Sequence, residues 1–269
     1  MKTNSLHFIP ADKPEFFAKT SMLPANIFIF DLEDAVPIRK KELARQNILN
    51  FYLEGQNKNG KKYFLRINEI NSEFFERDIE LVNNVPLEGI VIPKFNFGSQ
   101  MLAFLDKLDS KLKIILIFES IKDLMILSFF ENKNILGAGL GLEDMLSSLT
   151  FFPTFDSDFL IQLKTNFVLK CKANGWECFD TVSMKFADET ELSNECNFSR
   201  RLGFDGRFSI HPKQIDIINS VYSISEEEIN WAKNIIEAVG ENYNGGYQKV
   251  GKLIVSPPKY KKAKLILGI

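Results

Sequence analysis

The chain has 269 residues, 45% of them hydrophobic, enough to bury a large core as one α/β domain or as two smaller ones. Lysine and arginine total 33 against 35 acids, a formal charge of −2, which excludes a global basic field that would recruit nucleic acid or an anionic membrane. Cys171, Cys178 and Cys196 are odd in number and lack C-x2-C spacing, which argues against a disulfide framework or a zinc site and leaves buried thiols.

The opening stretch MKTNSLHFIPADKPEFF reaches Pro10 and Asp12 before any long apolar segment, so no signal peptide and a cytoplasmic location are expected. No window approaches the roughly 18 to 20 uncharged apolar residues of a membrane helix. Apolar runs of strand length then recur at residues 6–9, 27–30, 63–67, 89–92, 114–118, 135–140, 178–182 and 207–210. Several are continuous rather than alternating, as in parallel strands buried on both faces. Between them, residues 40–52, 75–83, 99–108, 121–130, 159–173, 189–201 and 213–221 carry apolar positions at helical spacing. This βα alternation predicts a (β/α)8 barrel over 1–222, with a doubly wound open sheet as the alternative.

A capped helix is expected from Ser225, whose SEEEI places acids in the first turn, to about residue 239. The Gly- and Asn-rich residues 240–251 read as a flexible loop, and 252–269 as a tail that packs on the barrel or on a neighbouring subunit.

In such a barrel the active site lies where strands end and βα loops begin. The polar residues gather there: Asp12, then Asp31, Glu33 and Asp34 of DLEDAVP, then Arg66 and Asn68. Lys94 after Pro93, Glu119, Gly141, Asp144, Asp180 and His211 follow. A ring of carboxylates repels itself unless something positive sits among them. Hard oxygen donors without Cys or His suit Mg2+, and Glu119 and Asp144, at the tips of consecutive strands about 5 Å apart, are the expected ligands. Asp31, Glu33 and Asp34 would orient metal-bound waters or Arg66. Asp12, Asp180 and Asp188 are equally explained as helix caps, and His211-Pro212 as a backbone-positioning pair. The apolar stretch SSLTFFPTFDSD, residues 147–158, suggests a lipophilic contact, and reads equally as core or as a subunit interface.

The ordered series DLEDAVP with Lys41 and Ala44-Arg45, FLRIN (64–68), IPK (92–94), FES (118–120), GLEDM (141–145), GFDGRFSIHPKQI (203–215) and SEEEINWA resembles the citrate lyase beta subunit and its malyl-CoA lyase relatives, within the HpcH/HpaI aldolase superfamily. The match runs in order from about residue 5 to 239. The resemblance implies a barrel assembled as homotrimers or hexamers that binds Mg2+ and acts on acyl thioesters, CoA thioesters among them, or on small 2-oxo acids. It implies Glu119 and Asp144 as metal ligands and Arg66 as the residue that polarises the substrate oxygen. Asp31, Glu33 and Asp34 are expected to support catalysis, and Pro93, Lys94 and Gly141 to contact substrate beside Arg66. The chemistry implied is Claisen-type carbon–carbon cleavage or condensation that releases a 2-oxo acid. A 2-oxo-acid aldolase without a thioester and a non-catalytic metabolite-binding barrel are the alternatives. Two departures bear on this. Asn4 and Ala11 stand where relatives commonly have arginine and glycine, with consequences expected for recognition. Val255 stands where relatives that make or hydrolyse malyl-type thioesters carry an aspartate, which counts against such an activity.

Overall fold

The computed structural model describes residues 3–56, 60–151, 153–185, 188–240 and 243–269. The chain divides into two compact units, Met1–Tyr222 and Ser223–Ile269.

In the first unit, eight strands close into a barrel in sequence order, each parallel to the next, with the last paired to the first. They are β1 (Ser5–Pro10), β2 (Ile27–Asp31), β3 (Lys62–Arg66), β4 (Gly89–Ile92), β5 (Lys113–Phe118), β6 (Ile135–Leu140), β7 (Glu177–Asp180) and β8 (Gly206–Ser209). The helices are α1 (Lys41–Leu53), α2 (Phe75–Asn84), α3 (Ser99–Lys107), α4 (Ile121–Ile126), α5 (Leu142–Leu146), α6 (Asp158–Ala173), α7 (Glu189–Leu202) and α8 (Lys213–Tyr222). The expected (β/α)8 barrel is therefore the fold, and the open-sheet alternative is excluded by closure between β1 and β8.

The continuous apolar runs follow from burial on both faces of each strand. Leu6, Phe8, Ile27, Ile29, Phe64, Val91, Ile115, Ile117, Phe179 and Phe208 fill the barrel interior. Their strand neighbours, such as Ile9, Phe28, Phe30, Leu65, Ile90 and Ile92, face outward into the layer packed under the helices. Period-two alternation thus separates two apolar layers rather than an apolar and a wet face. Gly139 of β6 belongs to the same packing: a Cβ there would come within 2.1 Å of the Phe208 ring.

Two expectations change. The helix expected over 121–130 ends at Ile126, because α6 takes over the backbone groups beyond it. Lys170 Nζ donates to the carbonyls of Met125 and Leu127 at 2.9 and 2.6 Å, and Asn174 accepts from Phe130 N at 2.6 Å while donating to Ser128 O at 3.0 Å. In the second unit, α9 (Glu226–Val239) has the expected start, with the Ser225 side chain capping Glu228 N and the Glu228 carboxylate accepting from Ser225 N. The expected loop and tail, however, contain structure: β9 (Gln248–Val250) pairs antiparallel with β10 (Leu253–Val255), and α10 (Pro257–Leu267) follows. Residues 241–242 of that loop lie outside the described residues. Val255 is fully buried with Ala232, Ile235 and Ala263 in this unit's own core.

Candidate active site

Asp31 closes β2 and Arg66 closes β3, and the sheet register sets them directly opposite each other. The guanidinium forks onto the carboxylate: Nε donates to Oδ1 at 2.8 Å and Nη2 to Oδ2 at 2.5 Å. Its third nitrogen, Nη1, lies 2.9 Å from Glu33 Oε2, an ion pair without the alignment of a hydrogen bond. Asp31 also accepts from the backbone N–H groups of Glu33 and Ala35, so one carboxylate folds the DLED turn and orients the arginine. The guanidinium stacks over the Phe8 ring at 4.8 Å. Burial works against the charge of Arg66, but the surrounding Asp31 and Glu33 carboxylates outweigh it and hold the pKa above its ordinary value.

Beneath the turn, the buried Lys41 at the start of α1 donates to the carbonyls of Leu32 and Glu33 at 2.6 and 2.8 Å, and to Asn68 Oδ1 at 2.7 Å. Asn68 donates to Asp78, which also takes Arg45 Nη1 at 2.7 Å. These buried groups satisfy one another and anchor the turn from below. Burial lowers the Lys41 pKa.

Glu119 follows β5, and Gly141 follows β6 with its N–H donating to Phe118 O at 2.9 Å. A Cβ on Gly141 would sit 2.3 Å from Glu119 Cγ, so the glycine is what gives the glutamate its place. Glu119 Oε2 is buried and has no hydrogen-bond partner among the described residues. Burial, then the Glu33 charge, push its pKa up to about 8, against the pull of Arg66. Asp144 lies on α5, exposed.

Asp31, Asp34, Arg66, Glu119, Gly141 and Asp144 line one cavity of about 360 Å3 at the strand C-termini. Glu33, Pro93 and Lys94 are not among its lining residues. Lys94 reaches the site through Glu33, donating to Oε1 at 2.9 Å, and it holds a left-handed backbone with φ 48. Burial opposes the charge of Lys94, and the Glu33 carboxylate outweighs it and raises the pKa. An unpartnered buried carboxylate oxygen, cradled by a glycine and sharing a cavity with a second carboxylate, suits a small divalent cation. Among the described residues no group of three or more His, Cys, Asp or Glu is placed to hold a metal. Two carboxylates at one cavity are a donor set that fits Mg2+, which takes one or two protein carboxylates and fills its other positions with water and substrate oxygens.

Other expected positions resolve differently. Asp180 is not a cap: fully buried, it pairs with Lys164 at 2.9 Å and Arg207 at 3.1 Å. Asp12 pairs with Lys40 at 2.7 Å, whereas Asp188 does cap α7 by accepting from Glu191 N. Gln214 accepts from the backbone of Ile210 and His211, the structural role expected of that turn. Asn4 lies ahead of β1, where its N–H donates to Asn26, just before β2, so it sits at the barrel end opposite the cavity. Sequence reading missed the apolar walls Phe8, Ile117, Val182 and Phe208, although the parity of Leu6/Phe8 and Ile115/Ile117 along their strands carries that signal.

The model of the family described as HpcH/HpaI aldolase/citrate lyase matches residues 4–212, and that of a C–C bond lyase of the TIM-barrel fold matches residues 158–267. A (3S)-malyl-CoA thioesterase from Cereibacter sphaeroides is 30% identical over 240 residues, covering 88% of this chain and 83% of that one. The citrate lyase subunit beta of Escherichia coli is 25% identical across 98% of this chain and 92% of its own. Protein CitE from Mycobacterium tuberculosis, solved in complex with magnesium, acetoacetate and coenzyme A, superposes with a TM-score of 0.76 at 23% identity, over 99% of this chain and 97% of that one.

Proposed function

The chain belongs to the HpcH/HpaI aldolase/citrate lyase family, and we propose that it is a Mg2+-dependent carbon–carbon lyase that cleaves an acyl-CoA or acyl-carrier thioester of a hydroxy acid and releases a 2-oxo acid. The observation that carries this is the shared cavity: Arg66, forked by Asp31, lines the same 360 Å3 space as Glu119 and Asp144.

In the cleavage, the substrate hydroxyl loses its proton and becomes the carbonyl of the oxo acid. The bond to the thioester α-carbon breaks, and its electron pair passes to the thioester as an enolate, which then takes a proton at carbon. Arg66 stabilises the negative charge that grows on the substrate oxygen, from a position fixed before the substrate arrives. Asp31 and Glu33 hold that guanidinium in place, and Lys94 keeps Glu33 oriented by its hydrogen bond. Glu119 and Asp144 are the residues that would hold the cation. Bound there, Mg2+ supplies Lewis-acid neutralisation of the oxo-acid oxygens. The Phe8, Ile117 and Phe208 walls keep the local dielectric low, which strengthens each of these interactions.

Lyase chemistry is favoured over thioester hydrolysis because Val255, which stands where the resemblance leads one to expect an aspartate, is an apolar core residue. A cytoplasmic location and the homo-oligomeric assembly that the resemblance implies belong to the same reading. Incubating purified protein and Mg2+ with citryl-, malyl- and citramalyl-CoA tests it. Release of a 2-oxo acid, abolished in Glu119→Ala, is expected. No cleavage of any of the three, by folded protein, would reject the CoA-thioester lyase reading and leave the thioester-free aldolase and the non-catalytic barrel.

A further inference from the structure

Beside the Glu119–Asp144 cavity lies a second, of about 550 Å3, and the two share Leu142, Thr181 and Val182 as lining residues. Its walls come from residues 153–156, between α5 and α6, from the segment after β7, and from Leu146 and Phe198. The 153–156 segment belongs to the apolar stretch that the lyase site leaves unused; Phe152 of that stretch lies outside the described residues.

One side of this cavity is apolar, and the other carries Asp156, Lys164, Lys185, Glu191, Glu195 and Arg207. Phe155 and Phe198 meet edge to face with ring centroids 5.6 Å apart, and Met184 stands 63% exposed beside them. Large apolar groups kept open to solvent around a concave space mark a ligand contact rather than core. Each lining cation has a carboxylate partner: Lys164 with Asp180 at 2.9 Å, Arg207 with Asp180 and with Glu195 at 3.1 and 2.5 Å, and Lys185 with Glu191 at 2.5 Å. An incoming phosphate or carboxylate would have to break one of those pairs, whereas a hydrocarbon would not.

Resting on the lyase reading, we propose that this second cavity receives an alkyl or aryl tail on the 2-oxo-acid half of the substrate. The protein therefore prefers oxo acids longer than pyruvate. Leu142, Thr181 and Val182 line both cavities, so a group that passes this shared wall from the first cavity enters the second.

The test is calorimetric titration of the full chain with Mg2+ against pyruvate, 2-oxobutyrate, 2-oxopentanoate and 2-oxohexanoate, repeated on Phe155→Ser and Met184→Asp. The exposed Met184 makes the second variant safe for folding. Affinity is expected to rise about fourfold per added methylene in the unaltered protein. That rise should shrink in both variants while the pyruvate affinity stays the same. Equal affinities along the series, or a rise undiminished in both variants, would overturn the tail site and leave the lyase reading standing. Failure of folded protein to bind any of these four, or oxaloacetate or glyoxylate, would remove both.

Discussion

Arg66 grips both oxygens of Asp31, at 2.8 and 2.5 Å, from the last residue of one strand to the last residue of its neighbour. The barrel register itself brings the two together, so the guanidinium is aimed into the cavity by the sheet rather than by a mobile loop.

Arg66→Lys tests what that fork does. A single ammonium cannot hold both Asp31 oxygens and Glu33 at once. The turnover number on the cleaved thioester is expected to fall by about 100- to 1000-fold. Mg2+ affinity should stay within about threefold, because Glu119 and Asp144 are untouched. Steady-state kinetics paired with metal titration separates the two effects.

Gly141→Ala asks whether Glu119 needs the space the glycine leaves. The backbone there has φ −86, which alanine adopts freely, so the change acts through its Cβ, 2.3 Å from Glu119 Cγ. A loss of Mg2+ affinity of about tenfold or more, with an unchanged circular dichroism spectrum, is the expected outcome. Unaltered metal binding would show that Glu119 is not placed by this contact.

Lys41→Met removes the ammonium that holds Leu32 O, Glu33 O and Asn68 from below. Leaving these buried acceptors unpaired should cost about 2–3 kcal/mol of stability. By contrast Arg77, whose side chain is 65% exposed in its pair with the similarly exposed Glu42, should cost less than about 1 kcal/mol when changed to Met. Urea unfolding midpoints of the two variants measure the contrast.

His7 gives a pH signature. It is buried on β1, bonded to Ser209 Oγ at 2.8 Å, and burial, with the nearby His211 charge, lowers its pKa to about 4 against 6.5 for a free histidine. Above pH 6.5 both folded and unfolded chains carry it neutral, and it exacts no penalty. Between 6.5 and 4 the unfolded chain takes a proton that the folded one refuses, so stability falls as pH falls, by about 1.4 kcal/mol per unit. Below about 4 the slope ends. His7→Gln should lose that part of the pH dependence when unfolding is followed from pH 7 to 4; identical slopes for both proteins would contradict it.

The barrel was legible because its strands are apolar on both faces and its polar residues cluster at their ends. Asp31, Arg66, Glu119 and Asp144 all come from that rule, and the cavity contains all four. Lys41 was visible only as part of a motif. Its contacts run nine residues back to Leu32 and 27 forward to Asn68, and no local spacing encodes them. Lys94 acts through Glu33, a partner 61 positions away. Gly141 was expected to touch substrate, and it does line the cavity, but its closest consequence is the room it leaves for Glu119. The hairpin of β9 and β10 escaped because each strand has three residues and β9 is QKV, too short and polar for a periodic signal.

Isothermal titration of oxaloacetate, pyruvate and glyoxylate, with and without Mg2+, on the unaltered protein and on Asp144→Ala, addresses the oxo-acid site most directly. Binding of at least one oxo acid that requires Mg2+ and disappears in Asp144→Ala is expected. Folded protein that binds none of the three in the presence of Mg2+, or binds them equally well without the metal or without Asp144, would contradict a lyase centred on Arg66, Glu119 and Asp144.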